Sequence, residues 1–134
     1  MDIHINYLAV IVAAVVNYVF ATIWYAALFR NVWKRLSGIS DMKPSAQTMC
    51  LSFIGSFVLS FVLYHSIAFG NAYFKIADIR GGLMGGVFGW LGYIAPVTLT
   101  AKLYERKPWG LWLLDNAFWL ISLLIMGIIL SIWM

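Results

Sequence analysis

The chain has 134 residues, a formal net charge of +4 and a mean hydropathy of +0.89, with 63% hydrophobic and 10% charged residues. Soluble domains carry about 25% charged residues, so this composition excludes a water-exposed globule and leaves no soluble catalytic or nucleic-acid-binding domain to expect. The basic residues flank apolar runs instead of lining one surface, so nucleic acid is not read as a partner.

Four apolar runs, at about 7–29, 46–69, 81–103 and 111–133, are each long enough to cross a bilayer as a helix, which takes about 20 residues. The expected fold is all-α: a polytopic membrane protein whose residues 1–134 form a single transmembrane domain. Its four transmembrane helices are expected in a compact antiparallel bundle, with the bilayer as the principal partner. The segment Met1–Asn6 has no Lys or Arg, and the run after it exceeds a signal-peptide core of about 7–15 residues, so it is read as a retained helix.

In span one, Asn6, Ala13, Asn17, Ala21 and Trp24 recur at helical spacing and share a face. Asn17 falls near mid-membrane, where an amide either bonds a neighbouring helix or contacts a ligand. The stretch Arg30–Ser45 reads as a basic loop, with Arg30, Lys34, Arg35 and Lys43; the sequence from Ser37 to Asp41, with Pro44, reads as a loop ending at a helix start.

In span two, Ser52, Ser56 and Ser60 form a seam of small residues at every fourth position, which lets a neighbouring helix approach. His65 lies on nearly the opposite face, near the outer interface. The single Cys50 has no intramolecular disulfide partner and reads as a core or interface thiol. Loop two carries only Lys75 and Arg80.

Span three opens with glycines at 81, 82, 85, 86 and 89, giving three overlapping GxxxG pairs; close packing is expected through Gly82, Gly86 and Gly89, within the bundle or in a homodimer. Pro96 removes a backbone donor and loosens the helix, and Thr98 and Thr100 are placed to satisfy the freed carbonyls. Loop three carries Lys102, Arg106 and Lys107. Spans one and three are each followed by a basic loop with a Trp, Trp33 and Trp109, which hints at a parallel two-plus-two repeat.

Span four contains the one acid within an apolar run, Asp115, next to Asn116. Two readings compete: an interfacial ion pair with Lys102, Arg106 or Lys107, and a functional carboxylate in a polar pocket. Loops one and three hold seven Lys and Arg against two in loop two. They are therefore expected in the cytoplasm, with both termini outside and anionic lipid headgroups at the basic loops.

Several short motifs carry a family resemblance. Asn6-Tyr7-Leu8-Ala9-Val10 with Asn17, Trp24-Tyr25 and Trp33 resembles the start of the bacterial "domain of unknown function 1761" family. Trp90-Leu91-Gly92-Tyr93, Val97–Thr100 and Tyr104-Glu105 are similar to its third span; Asn116, Trp119-Leu120 and Met126-Gly127 are similar to its fourth. The resemblance implies a small four-span membrane protein, hence a bacterial inner membrane as location, and implies no activity.

Under this topology Thr22, Trp24, Tyr25, Ser52, Pro96, Thr98, Thr100, Asp115 and Asn116 fall in one layer of the cytoplasmic half. The expected function is binding or transport of a small amphipathic or cationic ligand. Asp115, Asn116, Asn17, Trp24 and Thr100 are the candidate ligand-binding residues. The alternative is a non-catalytic membrane scaffold or assembly partner packing through the Gly and Ser seams. An enzyme is not expected: the sequence has no paired carboxylates, no nucleophile–base pairing, no metal-ligand cluster and no cofactor motif.

Overall fold

The computed structural model describes residues 4–39 and 44–134; Ser40, Asp41 and Lys43, assigned above to loop one, lie outside the described residues. Four helices are long and apolar enough to cross a membrane: Tyr7–Leu28, Ala46–Phe74, Ile79–Glu105 and Trp109–Ile132. They pack against one another as the expected four-span bundle.

Span one is α1 (Tyr7–Thr22) extended by a π-helical turn, Ile23–Leu28. A short helix, α2 (Arg30–Ser37), follows. Span two is α3 (Ala46–Phe74). Span three is α4 (Ile79–Gly89), a π-helical turn (Trp90–Ile94) and α5 (Ala95–Glu105). Span four is α6 (Trp109–Ile132).

Two expectations on extent are corrected. Part of the stretch read as loop one is helical. Val32, Trp33 and Leu36 gather on one side of α2, and the first two pack on the core beneath. Gly38, at φ 74°, then ends the helix in the left-handed conformation. Span two runs five residues past Phe69, because nothing between Gly70 and Phe74 breaks a helix. It stops at Lys75, in the left-handed region at φ 56°, where Ile76 N–H closes on Asn71 O at 3.0 Å. At 29 residues, α3 is about 43 Å long.

The two ends of the bundle differ. At one end Tyr64 Oη donates to His4 O at 2.8 Å, and Asn6 Nδ2 donates to Trp133 O at 3.1 Å. At the other, the basic end, Leu36 of α2 lies against Gly110 at the start of α6. The main core cluster, including Val10, Ile67, Met126 and Leu130, fills the first end. A second cluster around Trp24, Leu114 and Phe118 fills the basic end.

Glycine explains how closely span three sits. Gly82 and Gly127 face each other so tightly that a Cβ on either would overlap the other's carbonyl, and one on Gly86 would stand 2.9 Å from Leu123 O. One residue earlier, and so about 100° round the helix, a Cβ on Gly81 would overlap the Asn71 side chain, and one on Gly85 would stand 2.9 Å from Ile67 Cγ1. Thus α4 is wedged between α3 and α6, with a glycine face for each. Gly89, expected in the same seam, has nothing within 4 Å of where a Cβ would point, because the regular helix ends there.

Candidate functional site

Both odd-numbered spans lose regular α-helical geometry at the basic half, over Ile23–Leu28 and Trp90–Ile94. Pro96 sits at the start of α5 and lacks an N–H, so the chain cannot continue an undisturbed ladder through it. The disturbance is taken up as a π turn just upstream, a feature that recurs at functional sites. Beyond it α5 packs on α6, whereas α3 packs on α4. The first half of α3 and the last part of span three therefore separate.

That separation leaves a cleft of about 790 Å³ at the basic half of the bundle. Its polar lining includes Asn17, Thr22, Tyr25, Ser52, Ser56 and Thr98, and its apolar lining includes Leu59, Phe118 and Trp119. On the α3 wall Gly55 faces open space, with nothing within 4 Å of a Cβ position. Leu59, Tyr93 and Ile94 also line a second, apolar groove of about 560 Å³ that continues between α3 and α4.

Asn17 is buried on the cleft wall and ties three spans together. Its Nδ2 donates to Ser56 Oγ at 2.8 Å, and its Oδ1 accepts from Ser122 Oγ. The interhelical bond anticipated for it is present, and an edge of the residue also faces the cleft.

Asp115 lies behind Tyr25, whose hydroxyl donates to Oδ1 at 2.6 Å. The anticipated rival, a pair with Lys102, Arg106 or Lys107, is corrected: among the described residues the one ion pair is Asp78–Arg80, at the opposite end, at 2.9 Å. Lys102 instead places Nζ 3.8 Å from the ring centre of Trp109, a cation–π contact that holds it at the interface.

Asn116 stands behind Thr98, donating from Nδ2 to Thr98 Oγ1 at 3.0 Å and to Trp112 O at 2.9 Å. Trp24 is buried in an aromatic cluster with Phe20, Phe29 and Phe118, at centroid distances of 5.7, 4.5 and 6.3 Å. It supports the cleft from behind, and its indole N–H has no partner among the described residues. Thr100 is exposed and bonds back to Pro96 O at 3.0 Å, apart from the other four.

The residues that touch the cleft are therefore mostly neighbours of the ones singled out from sequence: Tyr25 in front of Asp115, and Thr98 in front of Asn116. Both belonged to the shared-depth layer. Ser122 and Gly55 were missed. Ser122 carried a signal, being a lone hydroxyl in an apolar run seven residues from Asp115 and so on the same face. Gly55 carried none. Cys50, read as a core or interface thiol, is exposed. Among the described residues no group of three or more His, Cys, Asp or Glu side chains is placed to hold a metal ion.

The chain belongs to the family described as "Protein of unknown function (DUF1761)", whose model matches residues 8–131. No curated protein and no solved structure matches it.

Proposed function

We propose that this protein is a non-enzymatic binding or transport protein for a small amphipathic or cationic molecule, which enters the cleft sideways from the bilayer. The observation that carries the reading is the cleft itself. Its volume of about 790 Å³ lies within the range of about 300–1,000 Å³ typical of ligand sites. Its walls are mostly apolar, and a few polar groups stand between mid-membrane and the basic end, as an amphipathic ligand requires. A carboxylate held by Tyr25 just behind the wall supplies negative potential for a cation.

The scaffold reading has less support. The Gly82, Gly86, Ser56 and Ser60 seams on which it relied contact the chain's own helices. Of the helical glycines left unpartnered, Gly55 lines the cleft, and Gly70, Gly89 and Gly92 line the apolar groove beside it.

The test uses tetraphenylphosphonium as an amphipathic cation and the protein in nanodiscs. Saturable binding above partition into empty discs is expected, with loss in Gly55→Leu. Partition alone, unchanged by that substitution, would overturn the reading.

Placement in a bacterial inner membrane, with both termini outside, belongs to the same proposal. In a Cys50→Ser background, Lys107→Cys should resist an impermeant thiol reagent added to intact cells. Labelling from outside would reverse the orientation.

A further inference from the structure

At the basic end the chain leaves span one and turns at Phe29 (φ −120°, ψ 24°) into α2. The turn leaves a concave corner of about 540 Å³. One wall is apolar, made of Ala26, Ala27 and Leu28 at the end of the span; the other carries Arg30, Asn31 and Lys34, with Val32 between them. The corner is distinct from the cleft, although Ala26 lines both.

The orientation of α2 is fixed by packing. Val32 and Trp33 pack on the cluster of Trp24, Leu114 and Phe118, and Leu36 Cδ2 would stand 3.1 Å from a Cβ on Gly110. With that face inward, Arg30 and Lys34, one turn apart, share the outer side with Arg35. Among the described residues the only ion-paired acid is Asp78, at the far end of the bundle.

We propose that this corner binds an anionic glycerophospholipid. The phosphodiester sits between Arg30 and Lys34, and Asn31 is placed to hydrogen-bond a headgroup or glycerol oxygen. The acyl chain runs along Ala26, Ala27 and Leu28. Charge selects the occupant: a zwitterionic headgroup would bring its own cation to a basic face. The apolar wall belongs to a membrane span and suits an acyl chain, which a free phosphate lacks. The shallow small-residue wall fits a chain lying on it better than a packed protein partner.

Native mass spectrometry on protein released from mixed vesicles of phosphatidylglycerol and phosphatidylcholine tests the site. Wild type is expected to retain phosphatidylglycerol in preference. Each cation near an anionic group contributes about fivefold to affinity, so Arg30→Gln with Lys34→Gln should lower retention by about twenty- to thirtyfold. Arg106→Gln with Lys107→Gln, in loop three, should leave the preference in place. Millimolar inorganic phosphate should not displace the lipid.

Equal retention of the two lipids by wild type would overturn the proposal even without variants. So would a preference that survives loss of Arg30 and Lys34, one that disappears only with Arg106 and Lys107, or displacement by inorganic phosphate. None of these outcomes depends on tetraphenylphosphonium binding in the cleft.

Discussion

Tyr25 and Asp115 lie ninety positions apart in the chain, and the hydroxyl of one donates to the carboxylate of the other at 2.6 Å. This bond joins the π-helical end of span one to the first third of span four, at the level where the cleft opens. The ring of Tyr25 also packs against Phe118, at 5.3 Å between centroids, so the hydroxyl is held in place by apolar contact.

The first prediction concerns that pair. Tyr25→Phe keeps the ring packing and removes the donor, leaving a half-buried acceptor without its protein partner, a loss of about 1–3 kcal/mol. Asp115→Ala removes the acceptor. In a double-mutant cycle, read by thermal unfolding in one detergent, the two losses are expected to be less than additive by about 1 kcal/mol or more. Simple additivity would show that the bond contributes nothing to the fold.

The second prediction separates glycines that look alike in sequence. Gly82→Ala forces a methyl into the Gly127 carbonyl, which is backbone and cannot swing away. Overpacking of this kind costs about 1–3 kcal/mol, and α4 and α6 should part measurably. Gly89→Ala meets nothing, and removing a helical glycine gains up to about 1 kcal/mol. Melting temperatures that fall for Gly82→Ala and hold or rise for Gly89→Ala fit this packing; equal losses contradict it.

That contrast marks how far the sequence could be read. Helix existence and span number follow from run length, because about 20 apolar residues in a row have few other destinations. The face used by Gly82 and Gly86 also follows from spacing. Gly127, the partner of Gly82, has no glycine within four positions of it and so no GxxxG signature; only the assembled bundle reveals it. The position of the cleft was equally hidden. Pro96 announced a weak point in span three, but that the helix bends away from α3 there depends on packing against α6. A shared depth was legible for Tyr25, Thr98, Asp115 and Asn116. Which of them faces the opening depends on helix rotation, and a one-position choice among neighbours is beyond a periodicity argument.

The third prediction addresses the bonds among Asn17, Ser56 and Ser122. Interhelical hydrogen bonds within a membrane contribute about 0.6–2 kcal/mol. Asn17→Ala severs both of its side-chain links and leaves two serine hydroxyls, which can fall back on carbonyls of their own helices. A loss of about 1–2 kcal/mol is expected. Replacing all three by Ala should cost no more than Asn17→Ala alone, because the two hydroxyls make no other side-chain bond between helices. A triple variant much weaker than the single one would mean that the serines contribute by other contacts.

The last prediction sets stability against binding at one position. Gly55 lies on the α3 wall of the cleft, and nothing lies within 4 Å of where its Cβ would stand. Gly55→Leu therefore adds a side chain to empty space and improves helix propensity, so unfolding temperature should hold or rise by an amount equivalent to at most about 1 kcal/mol. The same side chain occupies the volume a ligand needs, so binding of an amphipathic cation should fall at least tenfold, which is about 1.4 kcal/mol. Gly82→Ala, outside the cleft lining, should behave in the opposite sense, losing stability while leaving the cleft walls unchanged. Binding that survives Gly55→Leu, or that falls only in step with the stability lost in Gly82→Ala, would mean that the cleft is a gap in the packing and not the place where the cation sits.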